Sequence, residues 1–472
     1  MLRFGLRADT TVHDGGRVLI GGSPLKVLRL SAAGAEAIAE FTDPNADLRA
    51  GSTELGLRLA DGGVAETLVD PGSPTACPAT VTVVVPVRDD PFGLARTLEA
   101  LAAEVPTVRV IVVDDASTVP VVIRQVRHMA GSDGPELLRR PISGGPGAAR
   151  TTGLGSVSTP WVVFIDAGVV PQAGWFDELG RVAVAVPGLA LVAPRIVATP
   201  GPRLLDRYEA VASPLDLGPT SGPVRPASRL SYVPSTMLWC ATDVVSGLGF
   251  DPDLRFGEDV DLVWRMATAG HRCRYEPAVV AAHPARRSWW GLARQRFGYG
   301  TAAAPLDRRH PGAAAPVAMS PWSLAIAGLV VAGHPLAGAA IAVGTGVALE
   351  RKLAILDGSG RRTAHRLVIR GHLGAAEQLA NAVIRPWLPF TLAASMCSRR
   401  IRRGAVVAAV GTSLMEWRRR SPGIDPVTWT ALHWLDDGAY TAGVWVGAVR
   451  QRSSGPLRPR LRSWPGRSGS PS

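Results

Sequence analysis

The stretch Val81-Thr-Val-Val-Val-Pro-Val87 decides the fold class, because it is a continuous run of apolar and β-branched residues. Two similar runs follow it, at Val108–Val113 and at Trp161–Ile165. Continuous apolar runs of this length indicate strands that are buried on both faces, as in a parallel sheet. The segments long enough for crossover helices are 92–104, 119–130 and 147–158. The sequence therefore predicts an α/β, Rossmann-like sheet whose site lies at the carboxyl ends of its strands.

Polar and acidic residues follow each of these three strands. The first strand runs into Arg88-Asp89-Asp90, the second ends in Asp114-Asp115, and the third ends in Asp166-Ala-Gly168. Acidic residues gathered at one sheet edge repel each other unless they hold a cation or accept hydrogen bonds. Helix capping would account for a single acidic residue, but three successive strand ends predict a binding site.

Two further motifs carry groups that are typical of a reaction site. Ser143–Gly153 is rich in glycine, which lets the backbone approach a ligand, and it contains Arg150, which could contact a phosphate or a carboxylate. Gly257-Glu-Asp-Val-Asp261 places three carboxylates at the start of an apolar helical pattern. Such residues complement the helix dipole, and one of them could also act as the base beside a substrate hydroxyl.

Taken together, these motifs resemble the family 2 glycosyltransferases, which have the GT-A fold and use nucleotide sugars. The resemblance covers roughly residues 78–310. It rests on Val85-Pro86, Val113–Ser117, Gly145–Arg150, Phe164–Gly168, Gly257–Asp259 and Arg294–Gly300.

This resemblance implies roles for the matched residues. Asp259, with Glu258 beside it, would be the catalytic base that deprotonates the acceptor hydroxyl, and in-line attack would invert the anomeric carbon. Mg²⁺ or Mn²⁺ would be held by Asp166 and His283, although Gly168 replaces the second aspartate of the family's Asp-x-Asp motif. The residues implied in donor binding are Pro86, Arg88, Asp114, Asp115, Arg150, Asp166, Arg294 and Arg296. The candidates for stacking on an acceptor sugar are Trp239, Trp289 and Trp290.

More narrowly, the whole chain resembles the glycosyltransferases of mycofactocin biosynthesis systems. The residues that carry this resemblance are Val18–Leu30 and Ser288–Pro305, together with the order of the blocks. It implies that a peptide-derived redox cofactor is the acceptor. It also implies that glucose is added from a nucleotide diphosphate sugar, UDP-glucose, to build a β-1,4-linked oligosaccharide.

Residues 1–75 predict a small α+β domain. Strand-like Arg17–Ile20 and Lys26–Leu30 precede a helical pattern that begins after Ser31, a good N-cap residue. This order resembles the winged-helix-like domains that dock peptides by strand addition. A structural cap on the catalytic domain is the alternative. With seven Arg and Lys against ten Asp and Glu, the segment lacks the basic surface that binding to nucleic acid requires.

The net charge of +12 is unevenly distributed. Residues 1–350 hold 31 Lys and Arg against 33 Asp and Glu, whereas residues 351–472 hold 20 against 6. The basic part, a predicted helical block at 316–449 and a predicted disordered tail at 450–472, also holds two long apolar stretches, 322–349 and 379–397. Each stretch is long enough, or nearly so, to cross a bilayer.

The basic clusters favour a particular arrangement of these apolar stretches. A single crossing by 322–349 would place six Lys and Arg of 351–370 outside, against the positive-inside tendency. A hairpin kinked at His334-Pro335, resting on the anionic inner leaflet, keeps every cluster inside. We therefore expect the protein at the cytoplasmic face of the cell membrane. Two conventional spans, or helices packed on the protein, are the alternatives.

Two other functions are compatible with the same residues. A membrane glycosyltransferase with a lipid-linked or polysaccharide acceptor would explain the apolar stretches. A non-catalytic acceptor-binding protein would explain the loss of the second aspartate at Gly168, but the intact Gly257-Glu-Asp259 motif argues against it.

Overall fold

The computed structural model describes residues 2–42, 48–121, 134–353 and 360–462. The chain divides into two compact units. The sheet unit comprises Met1–Thr11, Ile20–Leu25 and Ala32–Arg287, and the helical unit comprises Val12–Leu19, Lys26–Ser31 and Ser288–Ser472. Residues of the predicted segment 1–75 thus fall in both units. The predicted crossover helix at 119–130 lies almost entirely outside the described residues.

The strands are β1 (Leu2–Leu6), β2 (Thr11–His13), β3 (Val18–Gly21), β4 (Lys26–Arg29), β5 (Ala65–Val69), β6 (Val81–Val87), β7 (Arg109–Asp114), β8 (Glu136–Arg139), β9 (Trp161–Ile165), β10 (Val170–Pro171), β11 (Leu189–Ala198), β12 (Gly222–Pro223), β13 (Met237–Ala241), β14 (Arg272–His283), β15 (Ala318–Met319) and β16 (Arg460–Leu461).

The helices are α1 (Ala32–Thr42), α2 (Ala50–Asp61), α3 (Pro91–Glu104), α4 (Pro146–Leu154), α5 (Trp175–Ala185), α6 (Leu204–Ala212), α7 (Thr242–Leu248), α8 (Glu258–Thr268), α9 (Trp289–Arg309), α10 (Pro321–Ala332), α11 (Pro335–Lys352), α12 (Gly360–Ile384), α13 (Leu388–Cys397), α14 (Arg399–Arg420) and α15 (Pro426–Arg450).

One large sheet forms the centre of the sheet unit. Its strands run in the order β10-β14-β11-β13-β9-β6-β7-β8, and β12 pairs with β14. The three strands predicted from the sequence pair in parallel, β6 with both β7 and β9, and every residue of β6 is buried. The complete sheet is mixed, because β13 runs antiparallel between β9 and β11. This is a GT-A-like glycosyltransferase architecture.

Helices predicted at 92–104 and 147–158 are confirmed as α3 and α4, which begin and end within a few residues of the predicted limits. Helix α4 packs tightly on the sheet because it is built from small residues. A Cβ atom on Gly153 would lie 2.4 Å from Val84 Cγ1 and 3.0 Å from Val113 Cγ2. The close approach brings the polar start of α4 to the carboxyl ends of β6 and β7.

The N-terminal part of the sheet unit packs into the same apolar core as the sheet. Strand β1 pairs antiparallel with β5, and Phe4 and Leu57 are buried together with residues of β6 and β9. Asp61 forms an ion pair with Arg272 of β14, with a distance of 3.0 Å. This part of the chain therefore contributes to the stability of the catalytic sheet. The strands and the helix predicted here from the sequence are β3, β4 and α1.

The helical unit is built around a close pair of helices, α9 and α15. A Cβ atom on Gly443 would lie 2.1 Å from the carbonyl oxygen of Phe297, and one on Gly300 would lie 2.2 Å from that of Tyr440. Glycines on both helices thus let the two backbones touch. Ion pairs add to this packing. Arg296 of α9 contacts Asp436 of α15 at 2.7 Å, and the half-exposed Arg385 contacts the buried Asp437 of α15 at 2.5 Å.

The apolar stretches form broken helices. The predicted break at His334-Pro335 is confirmed: α10 ends at Ala332 and α11 begins at Pro335. The second stretch is broken between α12 and α13. Among the helices of the described residues, none combines the length and the apolar character that crossing a membrane requires.

The prediction that the chain is disordered from about Arg450 is wrong for residues 451–462. A 3-10 turn covers Gly455–Leu457, and β16 pairs in parallel with β15. The local composition of this segment is typical of disorder, but backbone hydrogen bonds from Arg460 and Arg462 to the β15 region hold it in place. Residues 463–472 lie outside the described residues.

Candidate active site

Asp114 and Asp115, at the end of β7, organise the loops around the carboxyl edge of the sheet. Asp114 accepts hydrogen bonds from Ser117 N (2.8 Å) and Arg139 Nη1 (2.8 Å). Asp115 accepts hydrogen bonds from Ser143 Oγ, at 2.7 Å, and from the first two backbone N–H groups of the glycine-rich loop that follows. Burial would raise the pKa of each carboxyl, but these donors outweigh it and lower the pKa of both. Both carboxylates are buried and ionised, so they brace the loops instead of standing open to solvent.

Pro86 and Arg88 belong to the first strand end. Pro86 is buried within β6, opposite Val113, and its carbonyl oxygen accepts a long hydrogen bond of 3.4 Å from Ala167 N. Arg88 is half-exposed and donates from Nη1 to Ser143 Oγ at 2.6 Å. Arg88 thereby connects the loop after β6 to the glycine-rich loop, with part of its guanidinium facing solvent.

Arg150 is the central buried cation of the site. It lies on α4, is 1% exposed, and donates from Nη2 to Asp166 Oδ1 at 2.5 Å and from Nη1 to Glu258 Oε1 at 3.2 Å. Burial would lower the pKa of Arg150, but the charges of Asp166 and Glu258 outweigh it and raise the pKa. A single guanidinium thus joins the end of β9 to the start of α8, two motifs that are 92 residues apart in the chain.

Asp259 is held at the start of α8. Gly257, which precedes the helix, has φ +79°, a left-handed conformation that glycine adopts without strain. Asp259 accepts hydrogen bonds from Val260 N at 2.8 Å and from Ser235 N at 3.1 Å. The next residue, Thr236, accepts a hydrogen bond from Asp166 N at 3.0 Å. The short segment before β13 therefore positions Asp259 next to the Asp166 strand end.

The carboxyl groups at the start of α8 have raised pKa values. Burial raises the pKa of Glu258 to about 7, the charge of Asp259 adds to this, and Arg150 opposes it. Burial also raises the pKa of Asp259, against the two backbone N–H groups that it accepts from. A carboxylate with a raised pKa is a stronger base, which is what a general base at neutral pH requires.

Asp166 and His283 do not fit a metal ion held by the protein alone. One oxygen of Asp166 is already bound to Arg150, and Gly168 supplies no ligand. In the described part of the chain, no three His, Cys, Asp or Glu side chains are grouped closely enough to hold a metal ion. Gly168 has φ +94°, and a Cβ atom there would lie 3.2 Å from Pro284 Cγ, so an aspartate at this position would be strained.

His283, the last residue of β14, faces charges of both signs. Burial lowers the pKa of its imidazole, and the nearby Arg286 lowers it further, whereas Asp166 and Asp90 act in the opposite direction. The ring is therefore neutral at neutral pH. His283 lies at the same sheet edge as Asp166, and its place near the diphosphate stays a prediction.

The sequence motifs did not predict a role for Arg286 and Arg287, which follow β14. Arg287 is 88% exposed in its side chain, and its Nη2 lies 3.9 Å from Asp90 Oδ1. Arg203 donates to the carbonyl oxygens of Arg286 and Arg287, and Glu209 accepts from Arg286 N. Helix α6 thus holds this pair of arginines at the edge of the sheet. The sequence feature that could have identified these two arginines is their position one residue beyond His283-Pro284, at the end of a predicted strand.

The predicted acceptor residues separate into two groups. Trp239 is fully buried in the centre of the sheet, where it packs against Trp175 and Phe176, so the prediction that it stacks on a sugar is wrong. It lies on β13, which is covered on both faces. Trp289 and Trp290 lie at the start of α9 in the helical unit, and Trp290 is exposed.

Arg294 and Arg296 also lie on α9. Arg294 is exposed, whereas Arg296 is buried and donates to Asp436 Oδ1 at 2.7 Å and to Gln295 Oε1 at 3.1 Å. Arg296 is thus engaged in holding α9 to α15 within the helical unit.

Comparison with known proteins identifies the family of this chain. The family model for glycosyl transferase family 2 matches residues 82–206. A pre-mycofactocin glycosyltransferase found in two strains of Mycobacterium tuberculosis, CDC 1551 and H37Rv, is 39% identical over 489 aligned residues, which cover 98% of both chains. A solved structure of the mannosyltransferase PcManGT from Pyrobaculum calidifontis, in complex with GDP-Man and Mn²⁺, is 17% identical with a TM-score of 0.38, and covers 78% of this chain and 89% of that one. The chain is an enzyme of glycosyl transferase family 2, and it belongs to the family of pre-mycofactocin glycosyltransferases.

Proposed function

We propose that the protein transfers glucose from UDP-glucose to the peptide-derived redox cofactor pre-mycofactocin, with inversion at the anomeric carbon, and builds a β-1,4-linked oligosaccharide. The observation that carries the proposal is the placement of Asp259. A carboxylate with a raised pKa lies at a helix start next to the Asp166 strand end, in a chain 39% identical to a pre-mycofactocin glycosyltransferase.

In the chemical step, the acceptor hydroxyl oxygen attacks the anomeric carbon of the sugar. The new C–O bond forms as the bond from that carbon to the diphosphate oxygen breaks, and the hydroxyl proton passes to Asp259. The two backbone N–H groups that bond Asp259 orient its carboxylate toward the acceptor. Attack from the face opposite the diphosphate inverts the anomeric centre.

The leaving nucleoside diphosphate needs positive charge to stabilise it. Arg286 and Arg287 can supply this charge, since they follow β14 beside His283, and Arg88 can add to it from the loop after β6. Arg150 keeps Asp166 and Glu258 in place while it neutralises them. Because the protein itself provides few metal ligands, we expect Mg²⁺ or Mn²⁺ to change the rate only modestly.

The acceptor side of the proposal assigns peptide docking to residues 1–75. Small sheets of this kind pair with an extended peptide by strand addition. The contribution of Phe4 and Leu57 to the core of the sheet unit means that this segment cannot be deleted without loss of stability. Docking is therefore better tested with single substitutions of exposed residues such as Val12.

The test of the proposal uses the variant Asp259→Asn in the full chain. The variant should lose about 10²–10⁴-fold in the rate of glucose transfer, the usual contribution of a general base. Its affinity for UDP-glucose, measured by calorimetry, should be unchanged. The matched control is Asp253→Asn, an exposed carboxyl in the preceding loop, which should transfer at the normal rate. Normal turnover by Asp259→Asn would show that another group is the base.

A panel of acceptors separates the proposal from its main alternative. Pre-mycofactocin, a lipid-linked saccharide and a free polysaccharide are each incubated with the enzyme and UDP-glucose, and the products are measured by mass spectrometry. Mass increments of one hexose on pre-mycofactocin support the proposal. Transfer only to the lipid-linked acceptor would favour a membrane glycosyltransferase. That function would then explain the exposed apolar residues of the helical unit.

A further inference from the structure

Two helical hairpins of the helical unit meet at their tips. Helices α10 and α11 are joined at Gly333-His334, and α13 and α14 are joined at Ser398. Arg400 Nη1 donates to the carbonyl oxygen of Ala332 at 3.1 Å, and a Cβ atom on Gly333 would lie 3.5 Å from the same guanidinium. The turns of both hairpins therefore form one surface, the tip surface, made of residues 330–336 and 392–403.

The tip surface exposes large apolar side chains. Leu336 is 86% exposed and Met396 is 85% exposed, and each of Val330, Val331 and Leu392 is more than half exposed. Large apolar side chains that are exposed together on two neighbouring turns indicate an interaction surface. A polar network holds the first hairpin to the rest of the unit, since His372 on α12 hydrogen-bonds Ser323 on α10 and Thr345 on α11.

Positive charge surrounds these apolar residues. Arg399, Arg400, Arg402 and Arg403 lie in the first turn or two of α14, directly beyond Met396. From Arg385 to Met415 the sequence holds five arginines and no Asp or Glu. Apolar side chains beside arginines are the combination that binds the interface of an anionic bilayer, where the side chains enter the acyl region and the guanidinium groups contact lipid phosphates.

We propose that the tip surface is the site through which this protein binds the surface of an anionic lipid bilayer. The geometry also limits the depth of binding. The arginines lie at the same end as the apolar tips, so deep insertion of the hairpins would drag four guanidinium groups into the hydrocarbon. The tips therefore rest at the level of the headgroups, and the hairpins do not span the membrane.

The positive charge of the tip surface favours an anionic bilayer, and not a second copy of the chain, as its binding partner. Two tip surfaces placed face to face would bring eight arginines together without an acidic partner in either segment, and like charges at an interface cost several kcal/mol. Anionic lipid neutralises the same arginines. Because nucleotide sugars are made in the cytoplasm, the bilayer surface in question is the inner leaflet.

The proposal is tested by flotation of the full chain with two kinds of vesicle, one of phosphatidylcholine alone and one with equal parts of phosphatidylcholine and phosphatidylglycerol. The wild-type protein should bind the anionic vesicles, with an affinity that falls as salt is raised, and should bind the neutral vesicles far more weakly. Equal binding to both kinds, or no binding to either, would overturn the proposal.

Three variants connect the binding to the tip surface. Arg399→Gln and Arg403→Gln together should weaken binding about thirtyfold, while Arg400 and Arg402 are kept because they donate to the carbonyl oxygens of Ala332 and Ser395. Leu336→Ser with Met396→Ser should weaken it about tenfold or more. The matched control is Val427→Ser, at the start of α15, where the side chain is 78% exposed outside the tip surface. Circular dichroism at increasing temperature checks that each variant folds.

Light scattering of the wild-type protein without lipid tests whether a second copy of the chain covers the tip surface instead. A monomer whose binding to anionic vesicles is lost in the tip variants confirms the proposal. A dimer that the tip variants convert to a monomer would show that a second copy covers the tip surface. Tip variants that bind vesicles as well as the wild type would place the lipid contact elsewhere.

Discussion

The sheet unit and the helical unit differ in what they bury and what they expose. In the sheet unit, every residue of β6 is buried, and the charged groups gather at the strand ends, where Arg150 joins two carboxylates. In the helical unit, the ion pair of Arg296 with Asp436 is largely buried, whereas Leu336 is almost fully exposed. The two units therefore differ in where their apolar residues lie. The sheet unit buries them and carries its charged groups at the strand ends, whereas the helical unit exposes several large apolar side chains on its surface.

The largest effect is expected from Arg150→Lys. A lysine ammonium cannot bridge Asp166 and Glu258 as the guanidinium does, so the buried Glu258 and the partly buried Asp166 lose their shared partner. The free energy of unfolding should fall by about 3 kcal/mol or more, and glucose transfer should be almost abolished. The comparison is Arg385→Lys, which weakens the ion pair between the half-exposed Arg385 and the buried Asp437 in the helical unit. It should lower stability but leave transfer to a soluble acceptor intact, and equal loss of transfer in both variants would contradict the difference between the units.

A smaller effect is expected from Gly443→Ala, which tests the packing of α9 on α15. The added methyl group would lie 2.1 Å from the carbonyl oxygen of Phe297, so the helices must separate. Overpacking of this kind costs about 1–3 kcal/mol, and the Tm should fall accordingly. Gly438→Ala on the same helix meets nothing within 4 Å, and should leave the Tm unchanged or raise it slightly. Equal Tm values for both variants would show that the glycine contact is not needed.

The double variant Arg286→Gln with Arg287→Gln tests the source of charge for the leaving diphosphate. It should lower kcat about tenfold or more, equivalent to about 1.4 kcal/mol in the barrier, and raise the KM for UDP-glucose. The control is Arg255→Gln, an exposed arginine in the loop before α8. Unchanged kinetics in the double variant would assign the charge to other groups.

The last prediction compares slopes with pH and concerns the pH dependence of stability in Glu258→Gln. Burial raises the pKa of Glu258 to about 7, above its ordinary value of 4.5. Between these pH values the folded protein binds a proton that the unfolded chain has lost, so this group makes the protein less stable as pH rises, by at most about 1.4 kcal/mol per pH unit. The variant should lack this decline when denaturant unfolding is measured at pH 5, 6 and 7. The same decline in both proteins would assign it to another group.

Several features could be predicted because they depend on short stretches of chain. The runs at β6, β7 and β9 are apolar and β-branched over their whole length, and they form parallel strands as expected. The start of α8 after Gly257 and the break at His334-Pro335 also follow from local residues, a glycine in a left-handed conformation and a proline at a helix start. The membership of the family follows from the same motifs.

Other features could not be predicted, since they depend on contacts between distant residues. The burial of Trp239 results from the insertion of β13 between β9 and β11, which reverses the direction of one strand in the sheet. The ordered segment around Arg460 depends on pairing with a strand more than a hundred residues earlier. A single sequence carries no direct signal of either pairing.

The motifs of this chain, read along the sequence, predict a glycosyltransferase sheet and the carboxylate that we propose as its base, because each motif is a short run of neighbouring residues. Folding alone decided that Arg150 joins Asp166 to Glu258, that Arg286 and Arg287 lie beside the same edge, and that two hairpin tips share one surface. These arrangements bring together side chains from separate elements, and only the packing of those elements sets the distances between them.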